Sequence, residues 1–351
     1  MTADVSPSRP ELDAALLLLS RLGVSLDDLV SGAASVRPSV PTFAEFVPQV
    51  AAAVTQGTLK AYGTYWNRVV DQWGQRRLNE PTPLEIECFG KELRAARLVR
   101  RNGRGGSGTE ENYIAAMRCL YKRAVDNGFI AEADNPAAKV AKPRRQPGLR
   151  HALRDDKLAH INEVASTTGD DPELDALILR IHEETACRRG GALNLRPMDL
   201  DKEQCLIRLR EKGGTERWQP VSPTLMGYLQ RHAAERAAPL TGRLLRYRDG
   251  QQITYRRYDY LWERVGLVLP WVSVQGISTH WIRYTILRWV ERQFGYAVAR
   301  AYAGHRDRGG ETGSTATYVK ADIHEVAAAL ASLTGEPHPL VHRCVSFCDV
   351  G

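Results

Sequence analysis

The chain has 351 residues, 43% of them hydrophobic and 25% charged, with a formal net charge of +7. This length suits two domains better than one compact core, and the composition is that of a folded globular protein rather than a disordered chain. Six scattered cysteines exclude a small disulfide-stapled scaffold, and no apolar run approaches the ~18 residues of a membrane span.

The first 41 residues predict a helix from Glu11 to about Val30, broken at Gly23, followed by a linker rich in Ser, Pro and Ala. Residues 42–140 predict an all-helical domain. One helix opens with "TFAEFVPQ", a second has Thr58 as its candidate N-cap, a third has Pro83 in its first turn, and a fourth has Thr109 as its cap.

Positive charge is concentrated in the centre of the chain. Residues 91–150 hold fourteen Lys and Arg against six Asp and Glu, whereas residues 1–40 hold three Arg against five acidic residues. A DNA backbone selects such clusters through counterion release, but a solvated basic face without a partner has the same composition. The charge alone leaves both interpretations open.

Candidate phosphate contacts lie on the helices, in the glycine-rich loop "RNGRGGSG" and in the Pro-stiffened linker 141–150. The aromatic stripe of Tyr62, Trp66 and Trp73 favours a core over a base-stacking platform. The predicted DNA-binding residues are Lys60, Arg68, Arg101, Arg104, Arg118, Lys122, Arg123, Lys142, Arg144 and Arg145.

Residues 151–335 predict a second domain that is mostly helical with a small sheet. "CLIRLR" and "RWQPVS" predict two strands around the tight hairpin "EKGGTE". The tail, 336–351, contains His338, His342, Cys344 and Cys348, but their spacing matches no known zinc finger, so we expect no metal site.

Five short segments of this second domain carry reactive side chains. They are "TACRRGGALNL" with Arg188, "REKGGTERWQPV" with Lys212, "STHWIRYT" with His280 and Arg283, "AGHRD" with His305, and "STATYVK" with Tyr318. These residue types suit attack on a phosphodiester without a metal: guanidinium forks hold the charged oxygens, an ammonium protonates the leaving oxygen, and a phenol is the nucleophile. His280 and Arg283 are three apart and therefore share a face if that turn is helical.

These segments resemble the signature boxes of the tyrosine recombinase (phage integrase) family, in the family's order. They correspond to the patterns TGxRxxEhxxL, GKGxKxRxhPh, HxxR, LGH and TxxYxH, and the resemblance covers roughly residues 42–333. It implies a helical core-binding domain and a catalytic domain that together form a C-shaped clamp on DNA. The chain departs from the patterns at Ala186, where Gly is usual, and at Gly191, where Glu is usual.

The resemblance also implies the chemistry. Tyr318 would form a 3′-phosphotyrosyl bond, Arg188 and Arg283 would hold the scissile phosphate, and Lys212 would protonate the 5′ oxygen. His280 would accept a proton and His305 would bond the phosphate; Arg189 is the alternative to Arg188. The family acts as a tetramer on paired double-stranded DNA sites through a Holliday junction, without a cofactor, at times with an accessory directionality factor.

Two other functions remain open at this stage. A type IB topoisomerase uses the same phosphotyrosyl chemistry to relax supercoils, and a protein of recombinase descent could bind DNA without cutting it. The expected role is integration or excision of a mobile element, in the cytoplasm and associated with the nucleoid, without a membrane partner. The target sequence is not readable from the chain, because base readout depends on a few side chains in the grooves.

Overall fold

The computed structural model describes residues 9–22, 27, 39–96, 107–143, 150–211, 214–305 and 321–341. The chain divides into two compact units, residues 1–147 and 148–351. Each unit has its own apolar core, as expected of a domain.

The described part of the first unit is helical, and its core is aromatic. Trp66 is fully buried and donates its indole N–H to the Ala116 carbonyl at 3.0 Å, while the Tyr121 hydroxyl donates to the Leu78 carbonyl at 2.8 Å. The aromatic stripe is therefore core, as predicted. The helices are α1 (Arg9–Leu22), α2 (Phe43–Ala53), α3 (Gln56–Trp73), α4 (Pro83–Ala95), α5 (Ser107–Asp126) and the short α6 (Pro136–Lys139).

Two predicted caps were wrong. Thr55, not Thr58, caps α3: its backbone is extended, and its hydroxyl accepts the Thr58 backbone N–H at 3.3 Å. Thr109 lies inside α5, which begins at Ser107. In both places a second Thr or Ser stands upstream, and composition alone does not show which residue has the extended backbone of a cap.

The second unit combines helices with a three-stranded antiparallel sheet in the order β1-β2-β3. Strands β2 and β3 form the predicted hairpin, with Leu206 opposite Pro220 and Glu211 opposite Thr215. The elements are α7 (Asp155–Thr167), α8 (Pro172–Thr185), α9 (Arg189–Leu193), β1 (Leu200–Asp201), β2 (Leu206–Glu211), β3 (Thr215–Pro220), α10 (Pro223–Glu235), α11 (Tyr255–Val268), α12 (Pro270–Gln275), α13 (Thr279–Tyr302) and α14 (Ile323–Thr334).

The predicted fold class, mainly helical with a small sheet in the second unit, is confirmed. Strand β1 and helix α12 are too short to leave a periodic signal, and the sequence did not predict them. Helix α13 contains a kink at Gly295, whose φ of 83° lies outside the helical region. Glycine adopts this backbone conformation without a steric penalty.

Candidate active site

The segment that carries Arg188 is fixed by the end of α8. Ala186 ends this helix with a left-handed backbone (φ 46°) that turns the chain sharply. The buried His182 ring lies 3.1 Å from the Cys187 carbonyl and 2.9 Å from the Tyr258 hydroxyl. Burial lowers the pKa of His182 to about 3, so this supporting ring is neutral. The turn is thus held from within, and Arg188 follows it as the N-cap residue of α9.

Arg188 is bound by a carboxylate from the neighbouring strand. Its backbone N–H and its Nη1 donate to the two oxygens of Glu211, at 2.6 and 2.8 Å. The Glu211 side chain is fully buried, whereas the Arg188 side chain is 36% exposed. One edge of the guanidinium is therefore held by the protein, and a ligand can approach the rest.

Arg283 joins three of the five sequence segments. It lies in the second turn of α13, is 7% exposed, and donates to the Ala186 carbonyl and, at 2.9 Å, to the Ala303 carbonyl. Ala186 belongs to the segment of Arg188, and Ala303 to the segment of His305. Burial, followed by the nearby charge of Arg188, lowers the pKa of Arg283 to about 10. Three segments that are distant in sequence therefore meet at one guanidinium.

The two histidines lie in the same positive environment. Loss of solvent first, and then the charges of Arg150, Arg189, Arg283 and Arg188, lower the pKa of His280. Loss of solvent, Arg283 and Arg188 likewise lower the pKa of His305, although much of that residue remains exposed. Both imidazoles are therefore neutral near pH 7, the form in which His can accept a proton.

Arg217 of β3 adds a third guanidinium; it matches the Arg of the hairpin pattern, but the sequence alone assigned it no role. Its Nη1 donates to the Gln219 side chain, but its buried Nε and Nη2 have no hydrogen-bond partner among the described residues. It packs against Gly304 (φ 64°), where an added Cβ would lie 2.6 Å from the Arg217 Cδ. The pattern "TERW" contained this Arg, but only the contact with "AGHRD" shows that it belongs to the site. Burial lowers the pKa of Arg217.

Arg189, the alternative first Arg, faces other partners. Its Nη1 lies 3.8 Å from the Asp259 carboxylate, and its guanidinium lies 5.3 Å from the centre of the Tyr255 ring. Arg188, by contrast, bonds the Glu211 carboxylate and lies close enough to Arg283 for their charges to interact. This geometry supports the choice of Arg188.

The predicted DNA-binding side chains differ in whether they already form ion pairs or hydrogen bonds within the protein. Lys60 and Arg68 are exposed on α3 and form no ion pair with any described residue. Arg118 donates to the Val140 carbonyl at 2.7 Å, and Lys122 and Lys142 pair with Asp126 and Glu111 at 2.9 and 3.5 Å. Such surface ion pairs are weak enough for a phosphate to replace. Arg123 is half-buried.

Several predicted residues lie outside the described ranges. They are Tyr318, Lys212, Arg101, Arg104, Arg144, Arg145, His342, Cys344 and Cys348. His338 is described and is buried, with Nε2 3.2 Å from the Cys205 carbonyl and Nδ1 accepting the Leu340 N–H at 3.2 Å. Its ring therefore has structural partners.

The described ranges contain neither a candidate metal-binding cluster nor a candidate membrane span. These ranges contain no group of three or more His, Cys, Asp and Glu side chains arranged to hold a metal ion. None of their helices combines the length and the apolar character that a bilayer span requires.

The fold and the converging guanidinium and imidazole groups define an anion-binding site of the kind that holds a phosphate. Residues 151–323 match the phage integrase family. The chain is 27% identical over 181 residues to the tyrosine recombinase XerC of Chromobacterium violaceum, and the match covers 50% of this chain and 60% of that protein. Residues 151–323 therefore belong to the phage integrase family, and the curated relative that the chain resembles is a tyrosine recombinase.

Solved structures agree with the fold. A lambda integrase dimer bound to a core site superposes with a TM-score of 0.58 at 14% identity, over 90% of this chain and 87% of that one. A lambda integrase tetramer bound to a Holliday junction gives the same TM-score and identity, over 88% of this chain and 91% of that one. At such low identity, these likenesses establish the fold alone.

Proposed function

We propose that this chain is a site-specific DNA recombinase that cuts and rejoins strands through a 3′-phosphotyrosyl intermediate on Tyr318. One observation carries the proposal: Arg283 binds the carbonyls of both Ala186 and Ala303, so that three of the five boxes converge on a single cationic site. Two guanidinium groups fixed by the protein suit the charge that develops on a phosphodiester during attack.

The proposed division of labour follows the roles that the family resemblance implies. Arg188 and Arg283 hold the scissile phosphate, His280 accepts the phenolic proton, and His305 donates to a phosphate oxygen. Lys212 protonates the leaving 5′ oxygen. The phenol attacks phosphorus, the bond to the 5′ oxygen breaks, and the new ester retains the energy of the old one. Reversal by another 5′ hydroxyl rejoins the strand, so the cycle needs no cofactor.

We extend the proposal to the assembly. The chain would bind double-stranded DNA, with the basic residues of 91–150 on the backbone. A homotetramer on paired sites would exchange strands through a Holliday junction, as in the lambda integrase assembly. The biological role would be integration or excision of a mobile element on the nucleoid, in the cytoplasm, with an accessory factor setting the direction.

Covalent capture on genomic DNA tests the proposal for a target of any sequence. The full chain is incubated with sheared genomic DNA of its source, quenched with SDS, and the DNA linked to protein is sequenced. We expect wild type to capture a few discrete sites and Tyr318→Phe to capture none. Tyr228→Phe is the matched control, because this half-exposed tyrosine lies on α10, outside the cationic site.

Each rival function has a distinct result. Capture at positions that share no sequence would indicate a topoisomerase, if the protein also relaxes a supercoiled plasmid without a second DNA site. Binding without any adduct would indicate a protein that does not cut. An adduct that persists in Tyr318→Phe would refute the choice of nucleophile.

A further inference from the structure

Gly191 lies where a side chain would meet the Glu211 carboxylate. Gly191 is the third residue of α9 and is buried. A Cβ added there would lie 3.2 Å from Glu211 Cγ, 3.3 Å from Glu211 Oε1 and 3.6 Å from Cys187 Cβ. The space beside Arg188 that a residue at 191 would enter is therefore already taken by a carboxylate from the end of β2.

That carboxylate does two things for Arg188. Glu211 accepts the backbone N–H of Arg188 at 2.6 Å, which fixes the start of α9, and accepts Nη1 at 2.8 Å, which fixes the guanidinium. Charge-assisted bonds of this kind are stronger than neutral ones and set direction as well as distance. The other guanidinium N–H groups of Arg188 make no hydrogen bond with any described residue, so they remain available to a ligand.

The two positions depart from the family patterns in opposite directions. The first box has Glu where this chain has Gly191, and the hairpin pattern begins with Gly where this chain has Glu211. A single departure would remove a carboxylate or crowd two into one space. With both departures, the space beside Arg188 still holds one carboxylate, and the residue opposite that carboxylate is a glycine.

We propose that the two positions have exchanged roles, so that Glu211 is the positioning residue that orients Arg188 toward the scissile phosphate. The carboxylate reaches the guanidinium from the hairpin strand instead of from helix α9. The hairpin that carries Lys212 is thereby tied directly to the first phosphate-holding guanidinium. This inference rests on the proposed function.

A reciprocal substitution tests the exchange. Glu211→Gly removes the carboxylate, and Gly191→Glu places two carboxylates in one buried space. We expect each single variant to reduce single-turnover cleavage of a captured site, in a nicked suicide substrate, by about 10- to 100-fold. Glu211→Gly loses the charge-assisted bond to Arg188, and the crowding in Gly191→Glu displaces the carboxylate that makes it. The double variant Gly191→Glu/Glu211→Gly should recover to within about 5-fold of wild type, because a single carboxylate is again present.

A neighbouring glycine supplies the matched control. Gly190 is also in α9, but a Cβ there would meet only the Tyr255 hydroxyl, at 3.7 Å. Gly190→Glu/Glu211→Gly has the same composition as the exchanged variant with the carboxylate moved by one residue, and it should not recover cleavage. Equal recovery in both double variants, or none in the exchanged one, would overturn the inference.

A second readout separates orientation from folding. Glu211→Gln keeps the shape of the side chain and loses its charge, so we expect a melting temperature close to that of wild type and slower cleavage. A scissile methylphosphonate lacks one charged oxygen and depends less on Arg188. The Glu211→Gln defect should therefore shrink on that substrate; a defect of the same size on both substrates would mean a purely structural role.

The two proposals fail separately. If wild type forms no adduct at any captured site, the proposed function fails. If wild type cleaves normally and the exchanged variant stays as slow as the single ones, only the exchange fails.

Discussion

The two ends of helix α8 differ in how many carboxylates accompany their arginines. At its N-terminal end, Arg257 bonds Asp175 at 2.7 and 2.8 Å, and Arg236 bonds Asp171 at 2.9 and 3.1 Å, all of them buried. At its C-terminal end, the three guanidinium groups of the site share one described carboxylate, that of Glu211.

The difference separates stability from function. A buried cation with a matched carboxylate makes a tight structural contact, and breaking it exposes the partner to a large desolvation penalty. A buried cation without a partner is unfavourable for folding, and proteins keep such groups where a ligand will supply the missing charge. The paired end holds the helix in place. At the other end, here called the unpaired end, three guanidinium groups lie near one carboxylate, and our proposal assigns a phosphate to this excess of positive charge.

Breaking the paired end should produce the largest effect. Asp175→Ala leaves Arg257 buried, with Asp170 and the Asp171 carbonyl as its remaining partners. We expect a loss of about 3–5 kcal/mol in the free energy of unfolding, measured by chemical denaturation. The exposed pair of Arg231 and Glu235, 3.9 Å apart, is the control: Glu235→Ala should change stability by less than about 1 kcal/mol. Similar losses in both variants would contradict the contrast.

Replacing the central guanidinium of the unpaired end comes next. Arg283→Lys retains the positive charge but cannot bond the Ala186 and Ala303 carbonyls and a phosphate together. We expect covalent adduct formation to slow by about 10²–10³-fold, as when a fixed donor to a transition state is lost. Arg288→Lys, on the same helix and paired with Glu291 at 3.0 Å on the exposed side, should react at the wild-type rate.

Two arginines of one hairpin sharpen the comparison. Arg210 bonds the buried Asp199 at 2.6 Å, so Arg210→Met should destabilise the protein by about 1–3 kcal/mol. Arg217 has two unpartnered buried nitrogens, so Arg217→Met should leave the melting temperature unchanged or raise it, while cleavage slows because positive potential near the phosphate is lost. A large drop in melting temperature for Arg217→Met would show that its nitrogens are satisfied in solution.

The smallest effect concerns pH. The surrounding cations and partial burial hold the pKa of His280 and of His305 below 6.5. The neutral form therefore predominates at pH 7 and is lost as the pH falls through the lowered pKa. We expect an almost flat cleavage rate between pH 7 and 8 and a decline as the pH falls below the ordinary histidine pKa, by up to about tenfold per pH unit for one group. His280→Gln should be slower overall and lose part of this decline; a wild-type inflection above 7 would contradict the assignment.

The sequence predicted features that depend on residues close together in the chain. The helices and the hairpin follow from periodicity and turn residues, and the boxes place Arg188, His280, Arg283 and His305 in order; these site roles remain predictions. Glu211 and Arg217 could not be recognised in the same way, because their roles come from contacts with Arg188 and Gly304, distant in sequence. The departure at Gly191 was visible in the sequence, but only the structure shows that Glu211 occupies the same space.

The bonds from Arg283 to Ala186 and Ala303 have a consequence for building hybrids of this protein with its relatives. The Arg283 side chain couples three stretches of sequence. If only one stretch is replaced by that of a relative, Arg283 and the two carbonyls will come from different proteins, and their positions will not match. Crossovers placed within the first unit, or after Ala303, leave these couplings intact, whereas a crossover between α10 and α11 separates Ala186 from Arg283. Recombining this family in the laboratory should therefore follow spatial couplings rather than the order of motifs along the chain.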